Sequence, residues 1–182
     1  MNNIVRWSFA LALLPLAACT GNNVNPMSAT VPQPMPAAPT VNAVDNTFAM
    51  QAGASDQFEI QSSQLALQQS HNPRVRQFAQ QMIDAHTGTT QELMQIGASK
   101  GMTMQPTLEP QQSKMVADLG GLNGPGFDRA YLHDQVVAHR MAGTLFQNEI
   151  ANGQDPEIKA FAQKTLPIIQ SHERDARRLG GR

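Results

Sequence analysis

Asn72-Pro73-Arg74-Val75-Arg76-Gln77-Phe78-Ala79-Gln80-Gln81 returns later in the chain as Asp155-Pro156-Glu157-Ile158-Lys159-Ala160-Phe161-Ala162-Gln163-Lys164. One constant offset separates Asn72 from Asp155, Val75 from Ile158 and Phe78 from Phe161. Asn or Asp followed by Pro places an N-cap side chain before a residue whose fixed φ suits the first helical turn. Val75, Phe78, Ala79 and Met82 then follow at helical spacing, as do Ile158, Phe161, Ala162 and Thr165. Each copy therefore opens a helix. A helical pattern also precedes each copy, with Phe58, Leu65 and Ala66 before the first and Phe127, Leu132, Val136, Phe146 and Ile150 before the second. The repeated unit is a helical hairpin.

Working outward, the pattern predicts four long helices near 46–70, 73–99, 126–152 and 156–179. β-branched residues are few and do not alternate, so no strand is expected. The connection from Gly101 to Pro125 holds a short helical pattern around Glu109–Leu119, closed by Gly120-Gly121. A link of that length can cross a bundle from end to end. The expected fold is all-α: a four-helix, ferritin-like bundle of two hairpins joined by a long crossover, filling residues 45–182.

The N-terminal end reads differently. Arg6 is the lone charge of a leader over residues 1–18, and an apolar stretch from Phe9 to Ala18 ends in Leu16-Ala17-Ala18-Cys19. That stretch is too short to span a membrane and reads as a secretory signal peptide. Its last four residues resemble the bacterial lipobox, which implies that Cys19 becomes the mature N-terminus and carries diacylglycerol on its thiol. Thr20 follows the cysteine, and resemblance to enterobacterial lipoproteins then implies an outer-membrane address facing the periplasm. From Thr20 to Val44 there is no charge, and Pro26, Pro32, Pro34, Pro36 and Pro39 punctuate the segment. Residues 19–44 are expected to form a polyproline-biased tether, reaching at most roughly 75 Å at about 3.1 Å per residue. The expected partner is the membrane, through the lipid on Cys19. Thirteen basic residues stand against fourteen acidic ones, a balance too even to steer the chain toward nucleic acid.

Four polar residues fall on apolar or small-residue stripes. His86 shares a face with Ala79, Met82, Thr90 and Leu93; His139 with Leu132, Val136, Gly143, Phe146 and Ile150; His172 with Ile168, Ile169, Ala176 and Leu179; Glu59 with Ala52, Ser55, Ser62 and Ala66. Counted from the two hairpin turns, all four lie some 20–25 Å along their helices, at about 1.5 Å per residue. They are expected in one central layer. Two readings stay open. Buried histidines can hydrogen-bond a carboxylate or carbonyl and hold the register of a core, the reading the sequence favours. Alternatively, Glu59, His86, His139 and His172 form a transition-metal shell for zinc, iron or copper. The di-iron signature Glu-x-x-His is missing, because Ile83, Val136 and Ile169 stand three residues before the histidines.

Other features have simpler readings. Met102 and Met104, with Met27, Met35 and Met115, suit thioether capture of copper, but methionine commonly fills bundle cores. Pro167 deprives the Gln163 carbonyl of a donor and bends the fourth helix, with room for a pocket beside His172. Tyr131 is expected to hydrogen-bond across the core. Arg174, Arg177, Arg178 and Arg182 complement a helix C-terminus. No G-x-S-x-G elbow or phosphate-cradling glycine loop is present, and the one cysteine serves the anchor, so no catalytic residue is assigned.

Gln64-Leu65-Ala66-Leu67, Phe78-Ala79-Gln80-Gln81-Met82-Ile83, His86-Thr87, Phe127-Asp128-Arg129-Ala130-Tyr131-Leu132, His139, Thr165-Leu166-Pro167 and His172 together resemble a bacterial family of exported proteins known by number, domain-of-unknown-function family 4142. The resemblance covers roughly residues 56–178 and implies a ferritin-like domain without an established reaction. One departure stands out: the family pattern has Asp immediately before the histidine of the second helix, where this chain has Ala85, with Asp84 one residue earlier. The expected function is a non-enzymatic binding or structural module of the cell envelope; the alternative is a metal-binding or redox protein using the Glu59/histidine cluster.

Overall fold

Asn42 and Asp45 start the first helix by capping each other. The Asn42 side chain accepts from the Asp45 backbone N–H at 2.8 Å, and the Asp45 carboxylate accepts from the Asn42 N–H at 2.8 Å. In this computed structural model, which describes residues 41–181, the helices are α1 (Ala43–Gln69), α2 (Pro73–Ser99), α3 (Pro110–Gly120), α4 (Gly124–Asn152) and α5 (Pro156–Leu179). Among the described residues there is no strand, and no helix is long and apolar enough to cross a membrane. The signal segment 1–18, Cys19 and the proline-rich stretch through residue 40 lie outside the described residues.

The Asn72 and Asp155 side chains cap α2 and α5 as their sequences predict, each accepting from the N–H two residues on, with Pro at the first helical position. Two boundaries differ from expectation. Residues 43 and 44, read as the end of the tether, are already helical, because the reciprocal Asn42–Asp45 cap begins α1 earlier than its apolar pattern; Val41 also packs on the core. α4 begins at Gly124 instead of 126, with Pro125 in the N-terminal position that needs no N–H donor.

The most extensive packing is within the hairpins, α1 on α2 and α4 on α5; α1 also packs on α4, and α2 on α5. The core divides into two apolar clusters. One gathers Phe78, Met82, Phe127, Tyr131 and Leu132 near the α1–α2 turn. The other gathers Phe48, Leu93, Phe146, Ile158 and Phe161 near the α4–α5 turn. The two hairpin turns therefore lie at opposite ends, and the connection between the hairpins runs the length of the helices. Met104 in that connection lies on Gly97 of α2, where a Cβ would sit 2.7 Å from its Sδ, while Pro106 lies on Gly53 of α1. Met102 and Met104 thus pack as core filler over the second cluster. Tyr131 meets Ser63 across the core, hydroxyl to hydroxyl, at 2.8 Å.

The α4–α5 turn is equally close. A Cβ on Gly153 would overlap the Glu149 carboxylate and lie 2.7 Å from the Glu149 carbonyl oxygen, a backbone atom that cannot swing away. Gly153→Ala is expected to destabilise the protein by about 1–3 kcal/mol through overpacking. Chemical denaturation checks this; unchanged stability would show that the turn relaxes freely.

Candidate metal centre

Between the two apolar clusters lies a polar layer, one turn or so thick, to which all four long helices contribute. Asp56 and Glu59 come from α1, His86 from α2, His139 from α4 and His172 from α5. Glu59 and His139 are each 1% exposed and His86 is 6% exposed, while His172 is half-buried. The inward stripes of the helices therefore converge as their spacing predicts. The rings of His86, His139 and His172 form a triangle with centroid separations of 5.5, 5.7 and 5.4 Å, tilted or edge-on to one another. One ring nitrogen of each lies within 4.8 Å of those of the other two.

The outer nitrogens of two rings are committed to protein partners. His86 Nδ1 pairs with Asp56 Oδ1 at 2.7 Å, and His139 Nδ1 donates to the Gln135 carbonyl oxygen at 2.9 Å. His86 Nε2, His139 Nε2 and His172 Nδ1 are buried and have no hydrogen-bond partner. Such outer-partner bonds fix the tautomer and leave the opposite nitrogen with its lone pair for another use.

Asp56 is the residue that reading the sequence misses. Besides the His86 ring it accepts the hydroxyls of Thr89 at 2.9 Å and Thr90 at 3.0 Å, so three donors from α2 anchor it. It thereby orients the His86 ring from the neighbouring helix. Asp84 instead faces outward and accepts from the Gln80 amide. Its signal in the sequence is faint: an acid three residues before Glu59, on the same small-residue face of α1.

Burial and charge divide the protons unequally. Burial pushes the Glu59 carboxyl up to about 7, against the opposing pull of His86. The Gln135 amide, which hydrogen-bonds toward the carboxyl, also pulls its pKa down, and His139 Nδ1 lies 3.5 Å from Oε1. Burial lowers the His86 pKa, but its hydrogen bond to Asp56 and the nearby carboxylate charges outweigh this and raise it. Burial, then the charge of His86, holds His139 well below the ordinary histidine range and brings His172 down to about 4. Of the three rings, His86 is thus the one whose charged form the layer favours, and His139 and His172 are the two it holds neutral. A recess lined by Gln81, Pro167, Ile168, Ser171, His172 and Asp175 lies on the outer side of this layer, beside Pro167, through which α5 continues unbroken.

Fold and site together define an all-helical bundle with a buried layer of carboxylates and histidines. The chain belongs to the family described as domain of unknown function DUF4142, which it matches over residues 30–179. No curated protein matches it in sequence. Among solved structures it is similar to a DUF305 fragment from Deinococcus radiodurans, with 15% identity and a TM-score of 0.71 over 79% of this chain and 99% of that one. It is also similar to CopM in the Cu(II)-bound form, with 17% identity and a TM-score of 0.65 over 75% and 95% of the two chains, and to CopM in the Ag-bound form, with 16% identity and a TM-score of 0.61 over 74% and 93%. At these identities the likeness concerns the fold.

Proposed function

We propose that this protein is a non-enzymatic transition-metal-binding module of the bacterial envelope, with His86, His139 and His172 as the ligands and Glu59 beside them. The observation that carries this reading is the set of three buried ring nitrogens without hydrogen-bond partners, two of them on rings whose other nitrogen is already anchored. A core that used histidine only for register would have little reason to leave them so, since each unsatisfied buried polar atom costs about 1–3 kcal/mol. An ion with metal–nitrogen bonds of about 2.0–2.1 Å spaces its imidazole nitrogens roughly 3.5 Å apart, so the rings need to close by about an ångström. CopM structures carrying copper and silver add support from a similar fold. In this reading the four long helices form a ferritin-like bundle with α3 in the crossover. Cys19 carries the lipid that anchors it to the outer membrane, on the periplasmic side, with the proline-rich stretch as spacer.

The test is metal stoichiometry on the full-length chain after loading with Zn(II), Cu(II) or Fe(II) and desalting. Wild type is expected to retain one equivalent of at least one ion. His86→Ala and His139→Ala should each weaken binding by more than about a hundredfold, beyond what loss of an outer hydrogen-bond partner usually costs. His71→Ala, an exposed histidine in the α1–α2 turn, should bind as wild type does. Failure of wild type to retain any of the three ions would end this reading.

A further inference from the structure

Three neutral imidazoles bring no charge to an ion seated among them; the two carboxylates of the same layer do. Asp56 is held by the His86 ring and by two threonine hydroxyls, partners that orient it and, apart from His86 itself, carry no cation. Glu59 is 1% exposed, the neutral amide of Gln135 is the hydrogen-bonding side chain that acts on it, and the ring nitrogen nearest it is Nδ1 of the neutral His139, at 3.5 Å. No lysine or arginine appears among the ion-pair partners of either acid among the described residues. Buried charge is tolerated when a counter-charge stands beside it. Once all three rings serve as neutral ligands, the bound ion is the counter-charge available to both acids. A divalent ion brings the layer to neutrality. A monovalent ion balances one acid alone and leaves the other to hold a proton or stand uncompensated in a buried place.

Resting on the metal-binding reading above, we propose that Asp56 and Glu59 make the His86–His139–His172 site selective for divalent transition-metal ions over monovalent ones such as Ag(I) and Cu(I). Selection comes from the charge that the acids place around the ion, whether or not Glu59 itself ligates. An isosteric, neutral replacement of Glu59 should therefore change the ratio of affinities while all three rings stay in place.

Zn(II) and Ag(I) are suitable probes, since neither changes oxidation state under ordinary handling. Their affinities for the full-length chain are measured by competition with a chelator of known strength, for wild type, Glu59→Gln and Asp56→Asn. Wild type is expected to bind Zn(II) more tightly than Ag(I). Glu59→Gln should weaken Zn(II) by about tenfold or more and Ag(I) by less than about threefold, a loss in the range found for groups around a metal's direct ligands. Asp56→Asn should shift the ratio the same way, with an additional loss for both ions because His86 loses its orienting carboxylate. Wild-type preference for Ag(I), or a Zn(II)/Ag(I) ratio that neither substitution changes, overturns the charge assignment. Failure of wild type to bind Zn(II), Ag(I), Cu(II) or Fe(II) overturns the histidine site itself, which keeps the two failures apart; where Cu(II) or Fe(II) is the divalent ion retained, it takes the place of Zn(II) in the comparison.

Discussion

Glu59→Gln raises the unfolding temperature of the metal-free protein at pH 8 by roughly 5–10 °C and leaves it nearly unchanged at pH 4. The folded protein holds the Glu59 carboxyl up to about 7, from an ordinary 4.5, chiefly because the group is buried. A carboxyl whose pKa is raised on folding stabilises the folded state fully below its unfolded value, and that stability is lost as pH rises through its folded value. The loss here falls between about pH 4.5 and 7. A shift of this size corresponds to about 3 kcal/mol, at 1.36 kcal/mol per pH unit. A domain of this length gains about 2–4 °C for each kcal/mol. Glutamine keeps the shape of the protonated acid and cannot ionise, so the variant escapes the penalty that wild type carries above pH 7. Thermal unfolding followed by circular dichroism at the two pH values reads the difference. Equal unfolding temperatures for wild type and variant at pH 8 would mean that Glu59 is solvated or already paired. The same substitution is expected to weaken Zn(II), so stability and binding should move in opposite directions, as at sites where a costly buried charge is kept for use.

The fold was legible because its punctuation is local. Asn72-Pro73 and Asp155-Pro156 cap their helices with side chains two or three residues from the N–H groups they satisfy, and a repeat of that signal in the same chain marks two hairpins. The reciprocal Asn42–Asp45 cap is just as local but precedes the apolar stripe, so a reading led by hydrophobic spacing starts α1 too late. Membership of the family was legible from Phe78 to Met82, Phe127 to Leu132 and the three histidines. For the site, equal heights along the helices were enough to bring Glu59, His86, His139 and His172 into one layer. Asp56 was not found because its role depends on how α1 is rotated against α2, and on two threonines of the neighbouring helix. A one-dimensional pattern records which face a residue occupies; it does not record which neighbour that face meets. Ala85 makes the point: the sequence puts no carboxylate immediately before His86, whereas the three-dimensional arrangement supplies Asp56 from α1.

Asp45→Ala should lower stability at pH 7 by about 3–5 kcal/mol, the largest loss expected of any single substitution considered. Asp45 is fully buried where the start of α1 meets the α4–α5 turn. Its carboxylate accepts the backbone N–H of Asn42 at 2.8 Å, of Gln154 at 2.8 Å and of Asp155 at 3.1 Å, so one side chain closes the first cap and ties it to a turn more than a hundred residues away. Burial alone would raise its pKa; the three backbone donors and the Glu149 carboxyl, which also hydrogen-bonds to it, together outweigh burial and lower it. Truncation removes the acceptor and leaves those donors without a partner, at about 1–3 kcal/mol for each one that water cannot reach. Against a total stability of about 5–15 kcal/mol, that is about a fifth of the whole or more. Because the folded-state pKa is depressed, the contribution is present above the ordinary 3.8 and is lost as pH falls through the folded value. The gap between wild type and Asp45→Ala should therefore be wide at pH 7 and narrow on acidification below about pH 4. Asp45→Asn, which retains a single acceptor oxygen, should fall between the two. Urea unfolding at pH 7 gives the measurement. A loss under about 1 kcal/mol would show that solvent satisfies the Gln154 and Asp155 N–H groups in the variant and that the turn does not depend on α1.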